Sequence, residues 1–296
     1  MIDAYKEQLK KGYKKEQIKD GLRMEDKKVQ IYEALNLKDR AFISLVGAGG
    51  KSTFFNRLAQ ELSKRKKKII LTTTTSMFTW QLTPFIKKGN LIEADDEKVM
   101  EENIKKCSYQ DKNRAIVLIH HRIKEKEEEK ISGPSPFYLD KWWKEGLADF
   151  FLVEADGAAG RSVKAPASHE PVIPSSTTDL VGVIGIDVLG LSLQEENVFR
   201  SQIFSQLTGL KLGEKIGIEA LSLLICHPEG LFKGAPQDCR CHLFINKVED
   251  SKDRKMAEEL TFQVLKTCHQ RISDIIIGAA GQKEVVIELI KEEKAL

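Results

Sequence analysis

The run Gly47-Ala48-Gly49-Gly50-Lys51-Ser52-Thr53 places three glycines, a lysine and two hydroxyls in succession. Glycines let backbone N–H groups turn inward on an anion. If a helix starts here, its first-turn N–H groups and its dipole add to the same pull. Lys51 would pair with the β- and γ-phosphates of a nucleotide, and Ser52 would ligate Mg²⁺. The spacing departs from G-x-x-x-x-G-K-[ST]. That pattern wants a glycine where the chain has Leu45, and the loop from Gly47 is two residues shorter. The bland alternative is a glycine-rich strand–helix turn carrying an incidental lysine.

A second signal lies at Phe150–Gly157, an apolar run that ends in Glu154 and Asp156. On an extended strand these two carboxylates point to one face. They could hold Mg²⁺ directly or through water, or orient an attacking water. Lys51, Glu154 and Asp156 are therefore the candidate catalytic set, and Ser52, Glu154 and Asp156 the candidate metal ligands. Thr73 and Thr74, in a run of four threonines, could contact phosphate or metal-bound water, or simply finish a strand. Arg161, Lys164, His169 and Glu170 follow Asp156 and offer anion-binding or acid–base groups, against the alternative of a proline-stiffened surface loop. Arg200 is a weaker candidate of the same kind.

Asn246-Lys247, within Phe244–Glu249, is similar to the N-K-x-D base-reading motif of GTP-binding proteins, with Glu249 where that motif has Asp. ATP and GTP both stay open on this reading. Cys239-Arg240-Cys241-His242, with Cys226 upstream, lacks any usual zinc spacing. Five cysteines, an odd number in a long chain, argue for reduced thiols and against a disulfide framework.

These residues need strand ends and helix starts to position them. Apolar runs predict buried strands at Ala41–Val46, Lys68–Leu71, Ala115–Ile119, Phe150–Val153, Val181–Ile186, His242–Ile245 and Ile275–Ile277. Helical periodicity predicts helices at Ser52–Arg65, Asp253–Thr267 and Gln282–Glu293. Alternation of the two implies an α/β fold, a mostly parallel P-loop NTPase-like sheet flanked by helices. Residues 1–40, with Ile2, Tyr5, Leu9 and Tyr13 at helical spacing, suggest a weakly packed helical extension ahead of a 41–296 domain. Residues 197–232 suggest a small helical insertion, and the charge run Lys124–Lys130 an exposed loop.

Composition narrows the function classes. The 47 basic and 44 acidic side chains give a net charge of +3, which makes no electrostatic case for nucleic acid. No apolar run is long enough to cross a bilayer and the N-terminus is charged, so a cytoplasmic location without membrane partners is expected.

The short glycine loop resembles that of the Mur ligase group. More of the chain is similar to the YqeC family, described as selenium cofactor biosynthesis or selenium-dependent hydroxylase accessory proteins. The segments that carry this resemblance are Val46–Thr53, Leu71–Ser76, Val153–Ala159, Lys164–Pro174, Gly185–Leu191 and the region from Arg200 to Asn246. The resemblance implies an accessory protein that helps make or insert the hydroxylase cofactor; joined to the loop and carboxylate reading, this gives a nucleotide- and Mg²⁺-binding accessory protein, an NTPase. Molybdenum cofactor, or a molybdenum hydroxylase, would be its partner. The alternatives are an ATP-dependent ligase or kinase-like enzyme, and a non-catalytic cofactor-delivery module.

Overall fold

A computed structural model describes residues 22–24, 29–65, 67–86, 90–107, 115–125, 128–268 and 272–292. The strands are β1 (Leu22–Met24), β2 (Ala41–Gly47), β3 (Ile69–Thr73), β4 (Ser76–Phe78), β5 (Asn90–Glu93), β6 (Ala115–Ile119), β7 (His121–Glu125), β8 (Glu128–Ser132), β9 (Phe150–Glu154), β10 (Val163–Lys164), β11 (Asp179–Gly185), β12 (Val198–Phe199), β13 (Arg240–Asn246), β14 (Asp274–Gly278) and β15 (Val286–Glu292). The helices are α1 (Ile31–Ala34), α2 (Lys51–Ser63), α3 (Thr83–Ile86), α4 (Glu97–Lys106), α5 (Pro136–Lys144), α6 (Ser201–Thr208), α7 (Ile218–Cys226) and α8 (Ser251–Cys268).

One large sheet runs β1-β15-β14-β13-β11-β2-β9-β3-β6-β5. Its seven contacts from β14 to β5 are parallel, and β15 and β1 add antiparallel edges. The central strands are apolar along their length because both faces are covered. Alternate side chains serve opposite faces. Ile43, Leu45, Phe150, Leu152, Val181 and Val183 meet Phe54, Phe55, Leu58 and Leu62 of α2. On the other face Phe42, Phe151 and Val153 meet Met100, Leu139 and Trp142 of α4 and α5. Farther along that face Leu180, Ile184 and Leu243 meet Phe204, Leu224, Leu260 and Val264 of α6, α7 and α8. The region expected as a helical insertion thus shares a core with the strands.

Four expectations need correction. Gln282–Glu293 does not form a helix: Val286–Glu292 is β15, paired with β14 and β1. Its β-branched Val286 and Ile287 suit a strand, and pairing along β14 overrides the helical spacing. Of the charge run at 124–130, Lys124 and Glu125 lie in β7 and Glu128–Lys130 in β8, paired antiparallel rather than lying in an open loop; residues 126–127 lie outside the described residues. Leu22–Met24 is a strand, and Ile31, Ala34, Leu35 and Leu37 are buried in the main core, so this part of the extension packs against the domain through those side chains. The helical positions Ile2, Tyr5, Leu9 and Tyr13 lie outside the described residues. Finally, Cys226 and Cys268, at the ends of α7 and α8, form a disulfide with Cα atoms 5.6 Å apart. Cys107, Cys239 and Cys241 are thiols outside any disulfide. Among the described residues, no helix is long and apolar enough to cross a membrane.

Candidate functional site

β2 lies between β9 and β11. From β2 the chain leads to β3, beyond β9. From β11 it leads the other way, to β13 and β14. The strand order therefore reverses between β2 and β11, and the crevice at their carboxyl ends is where open α/β sheets take ligands. The loop Gly47–Gly50 fills that crevice, and α2 begins directly after it.

The loop is tied down from three sides. Ala48 N donates to Val183 O (2.9 Å) and Gly49 N to Arg161 O (2.8 Å). Asn246 Nδ2 donates to Gly49 O (2.6 Å), while Asn246 Oδ1 accepts from Ala280 N (2.8 Å). Gly49 and Gly50 have φ of 79° and 110°, and a Cβ would collide with the Gly185 backbone at the first and with the held Asn246 side chain at the second. Glycine is required at both on each count. The first helical bond of this end is Phe54 N to Gly50 O, 3.0 Å. The N–H groups of Lys51, Ser52 and Thr53 therefore lack intrahelical acceptors and make an anion seat.

Lys51 is buried, with Nζ donating to Gly47 O at 2.8 Å. It lies 3.0 Å from Asp156 Oδ1 and 3.9 Å from Glu154 Oε1. Burial works against its charge, but Asp156 and Glu154 outweigh burial and hold its pKa above the usual lysine value. Asp156 Oδ2 accepts from Gly47 N at 3.0 Å, so a carboxylate already sits at the edge of the loop as a built-in anion. Glu154 is pushed above the usual carboxylate range by burial, against the pull of Lys51. Ser52 Oγ donates to Glu154 Oε2 at 3.2 Å. This hydroxyl and a desolvated carboxylate, side by side, are the donor set a hard cation takes when phosphate supplies its remaining ligands. Among the described residues no three His, Cys, Asp or Glu converge as a protein-only metal cage.

The remaining candidates separate. Thr73 Oγ1 donates to Glu154 O (2.8 Å) and Thr74 Oγ1 to Val172 O (2.6 Å), so both brace backbone beside the site. Lys164 is buried, and its Nζ reaches Asp156 Oδ2 (3.0 Å), Glu170 Oε2 (2.6 Å) and Gly157 O (2.6 Å). Arg200 grips Glu170 with both Nη1 and Nη2. Burial pushes the Glu170 pKa up, but Arg200 and Lys164 bring it down to about 2. A chain of alternating charge thus runs Lys51–Asp156–Lys164–Glu170–Arg200. Arg161 contributes its carbonyl to Gly49, and its guanidinium bonds Glu195 O (2.8 Å) and Ala159 O (3.2 Å). His169 is exposed, apart from this chain. Lys247, at φ 64°, bonds Asp187 Oδ2 (2.7 Å) and Ser162 Oγ (2.8 Å).

Two features escape the sequence. Gln81 Nε2 donates to Ser52 Oγ; it belongs to no motif, and the turn after β4 alone brings it there. A cavity of about 460 Å³ adjoins the loop, lined by Gly50, Thr53, Asp187, Asn246, Lys247, Glu249, Asp253, Ala279 and Gly281.

A family model described as YqeC protein matches residues 43–202, a span that holds the loop, both strand-end carboxylates and Arg200. A relative from Escherichia coli (strain K12), called "Uncharacterized protein YqeC", is 32% identical over 218 residues, covering 74% of this chain and 80% of the relative.

Proposed function

The chain belongs to the YqeC family, and from that premise and the loop geometry we propose that it binds a nucleoside triphosphate with Mg²⁺ and hydrolyses it on a P-loop NTPase-like fold. The carrying observation is the convergence, at the sheet's switch point, of the Gly47–Gly50 loop, the start of α2, buried Lys51 and the Ser52–Glu154 pair.

The phosphates would sit on the N–H groups of Lys51, Ser52 and Thr53. Lys51 would move from Asp156 onto the β- and γ-phosphates, while Lys164 keeps Asp156 charge-balanced at 3.0 Å. Mg²⁺ would be held by Ser52 and Glu154 and would neutralise phosphate charge. Asp156, or Glu154 through its second oxygen, would orient the attacking water. In the cell the cycle would serve maturation of a selenium-dependent molybdenum hydroxylase, with hydrolysis driving a conformational step in cofactor delivery. The ligase or kinase alternative needs a second-substrate pocket lined by Arg161, Lys164, His169 and Glu170; Lys164 and Glu170 are paired with each other, the Arg161 guanidinium bonds backbone carbonyls, and His169 is exposed.

Titration of fluorescent ATP and GTP analogues with Mg²⁺, on the native protein and Lys51→Ala, tests the reading. Mg²⁺-dependent binding by the native protein, lost in a variant with unchanged circular dichroism, is expected. Absence of binding of either nucleotide by folded protein overturns it. Tight binding without phosphate release, with or without a hydroxylase, would convert it to the delivery module.

A further inference from the structure

We propose that the cavity beside the loop is the nucleobase pocket and that it selects guanine, with Glu249 as the base-reading residue. The inference rests on nucleotide binding at Gly47–Thr53 and goes beyond it by naming the base.

The cavity is placed and sized for a nucleoside. Gly50 and Thr53 close one end, so a base linked to phosphates on the loop would enter it. Its volume of about 460 Å³ lies within the range of small-molecule sites. Its other walls come from the carboxyl end of β13, the segments after β11, β13 and β14, and the first turn of α8.

Those walls are pre-organised. Asn246 bonds Gly49 O and Ala280 N, so both of its polar ends are engaged in joining the phosphate loop to the 279–281 segment. Lys247 is pinned at 2.7 Å to Asp187, so each answers the other's charge and the lysine stem is left as an apolar surface for a ring. Asp253 Oδ2 accepts from Glu249 N at 3.1 Å and fixes the backbone there. Among the described residues the Glu249 carboxylate has no hydrogen bond and no ion pair, although it lines the cavity.

A carboxylate offers two acceptors and no donor. Guanine presents two donors side by side, N1–H and one hydrogen of the 2-amino group, which match the two oxygens. Adenine places an unprotonated N1 at the same edge, which would face carboxylate lone pairs. Hypoxanthine keeps N1–H but lacks the amino group. Xanthine replaces the amino group with a carbonyl, which repels a carboxylate but accepts from an amide.

The test is competition by Mg²⁺ complexes of GTP, ATP, ITP and XTP, on the native protein and Glu249→Gln. The native protein should favour GTP over ATP and ITP by about 10- to 100-fold, the worth of one or two charge-assisted hydrogen bonds. Glu249→Gln should lose GTP affinity and gain XTP affinity. Equal or tighter ATP binding by the native protein overturns the guanine assignment and leaves nucleotide binding standing. A uniform loss for all four nucleotides in Glu249→Gln with an unchanged melting profile overturns it too. No binding of any of the four sinks both this inference and the reading it rests on.

Discussion

The large sheet carries a charge cluster at each end of its strands, and the two differ in what they leave open. At the amino ends, Asp179, Arg240, His242 and Asp274 start β11, β13 and β14. Asp179 is in register with Arg240, and His242 with Asp274. His242 is fully buried, 3.1 Å from Asp179 and 2.9 Å from Asp274, and Thr178 Oγ1 donates to Asp179 at 2.6 Å. This cluster staples three neighbouring strands and every charge in it is answered by another. At the carboxyl ends, Lys51, Glu154, Asp156, Lys164, Glu170 and Arg200 are as tightly paired. That cluster, however, borders helix N–H groups without intrahelical acceptors, a carboxylate that burial has made reluctant to ionise, and a cavity. Buried charge is therefore no mark of a site by itself. The mark is buried charge beside unanswered donors and space.

Removing one charge from each cluster should separate stability from binding. Asp179→Ala leaves His242 and Arg240 without their shared carboxylate and is expected to cost about 3–5 kcal/mol in urea unfolding, as for a broken buried ion pair. Nucleotide affinity of the protein that remains folded should be nearly native. Lys51→Met should do the reverse. Asp156 keeps Lys164, and Glu154 can take up a proton, so stability should fall by less, about 1–3 kcal/mol, while binding disappears. A folded Asp179→Ala that no longer binds nucleotide, or a Lys51→Met that fails to fold, would erase the distinction.

The next effect is smaller and concerns geometry rather than charge. Gly50→Ala puts a Cβ on a residue at φ 110° and against Asn246. About 1–2 kcal/mol of strain is expected, with nucleotide affinity down about tenfold or more. Asn246→Ala should release the same loop without strain, leaving Gly49 O without its donor at a cost of about 1–3 kcal/mol. If Gly50→Ala binds nucleotide as the native protein does, the loop is not a phosphate cradle.

How much of this could be read from the chain follows from which interactions are local. The buried parallel strands are continuous apolar runs such as Phe150–Val153, and β6 was legible to the residue. β15 was not, because Val285, Val286, Leu289 and Ile290 fit one helix face as well as a strand; the partner β14 decides. Lys51, Glu154 and Asp156 could be placed from the chain because the glycine loop marks a helix start at Lys51 and the two carboxylates end an apolar strand run or follow it closely. Lys164, Glu170 and Arg200 were legible as candidates but not as partners: the bonds join residues 6 and 30 positions apart through the fold. The Cys226–Cys268 pairing depends on where α7 and α8 end against each other, 42 residues apart. No local pattern encodes that.

The two clusters should also answer pH in opposite senses. Burial works against a charged His242, but Asp179 and Asp274 outweigh it and raise its folded pKa. Its contribution to stability is therefore complete below the unfolded histidine value, about 6.5, and is lost as pH rises through the folded value. Burial pushes Asp179 up, but bonds from His242 and Thr178 bring it below its ordinary value. Its contribution is present above about 3.9 and is lost as pH falls through the folded value. The amino-end staple should thus be strongest between these limits, and native stability should decline above about pH 6.5 by an increment that His242→Gln lacks. At the other end, Glu154 must give up its proton before it can ligate a cation, and burial raises its pKa. Mg²⁺-dependent nucleotide affinity should rise with pH over the range in which Glu154 ionises, and Glu154→Gln should flatten that rise. Stability and affinity measured on one sample across pH 5–9 should then move in opposite directions; parallel profiles would mean that one ionisation governs both ends of the sheet.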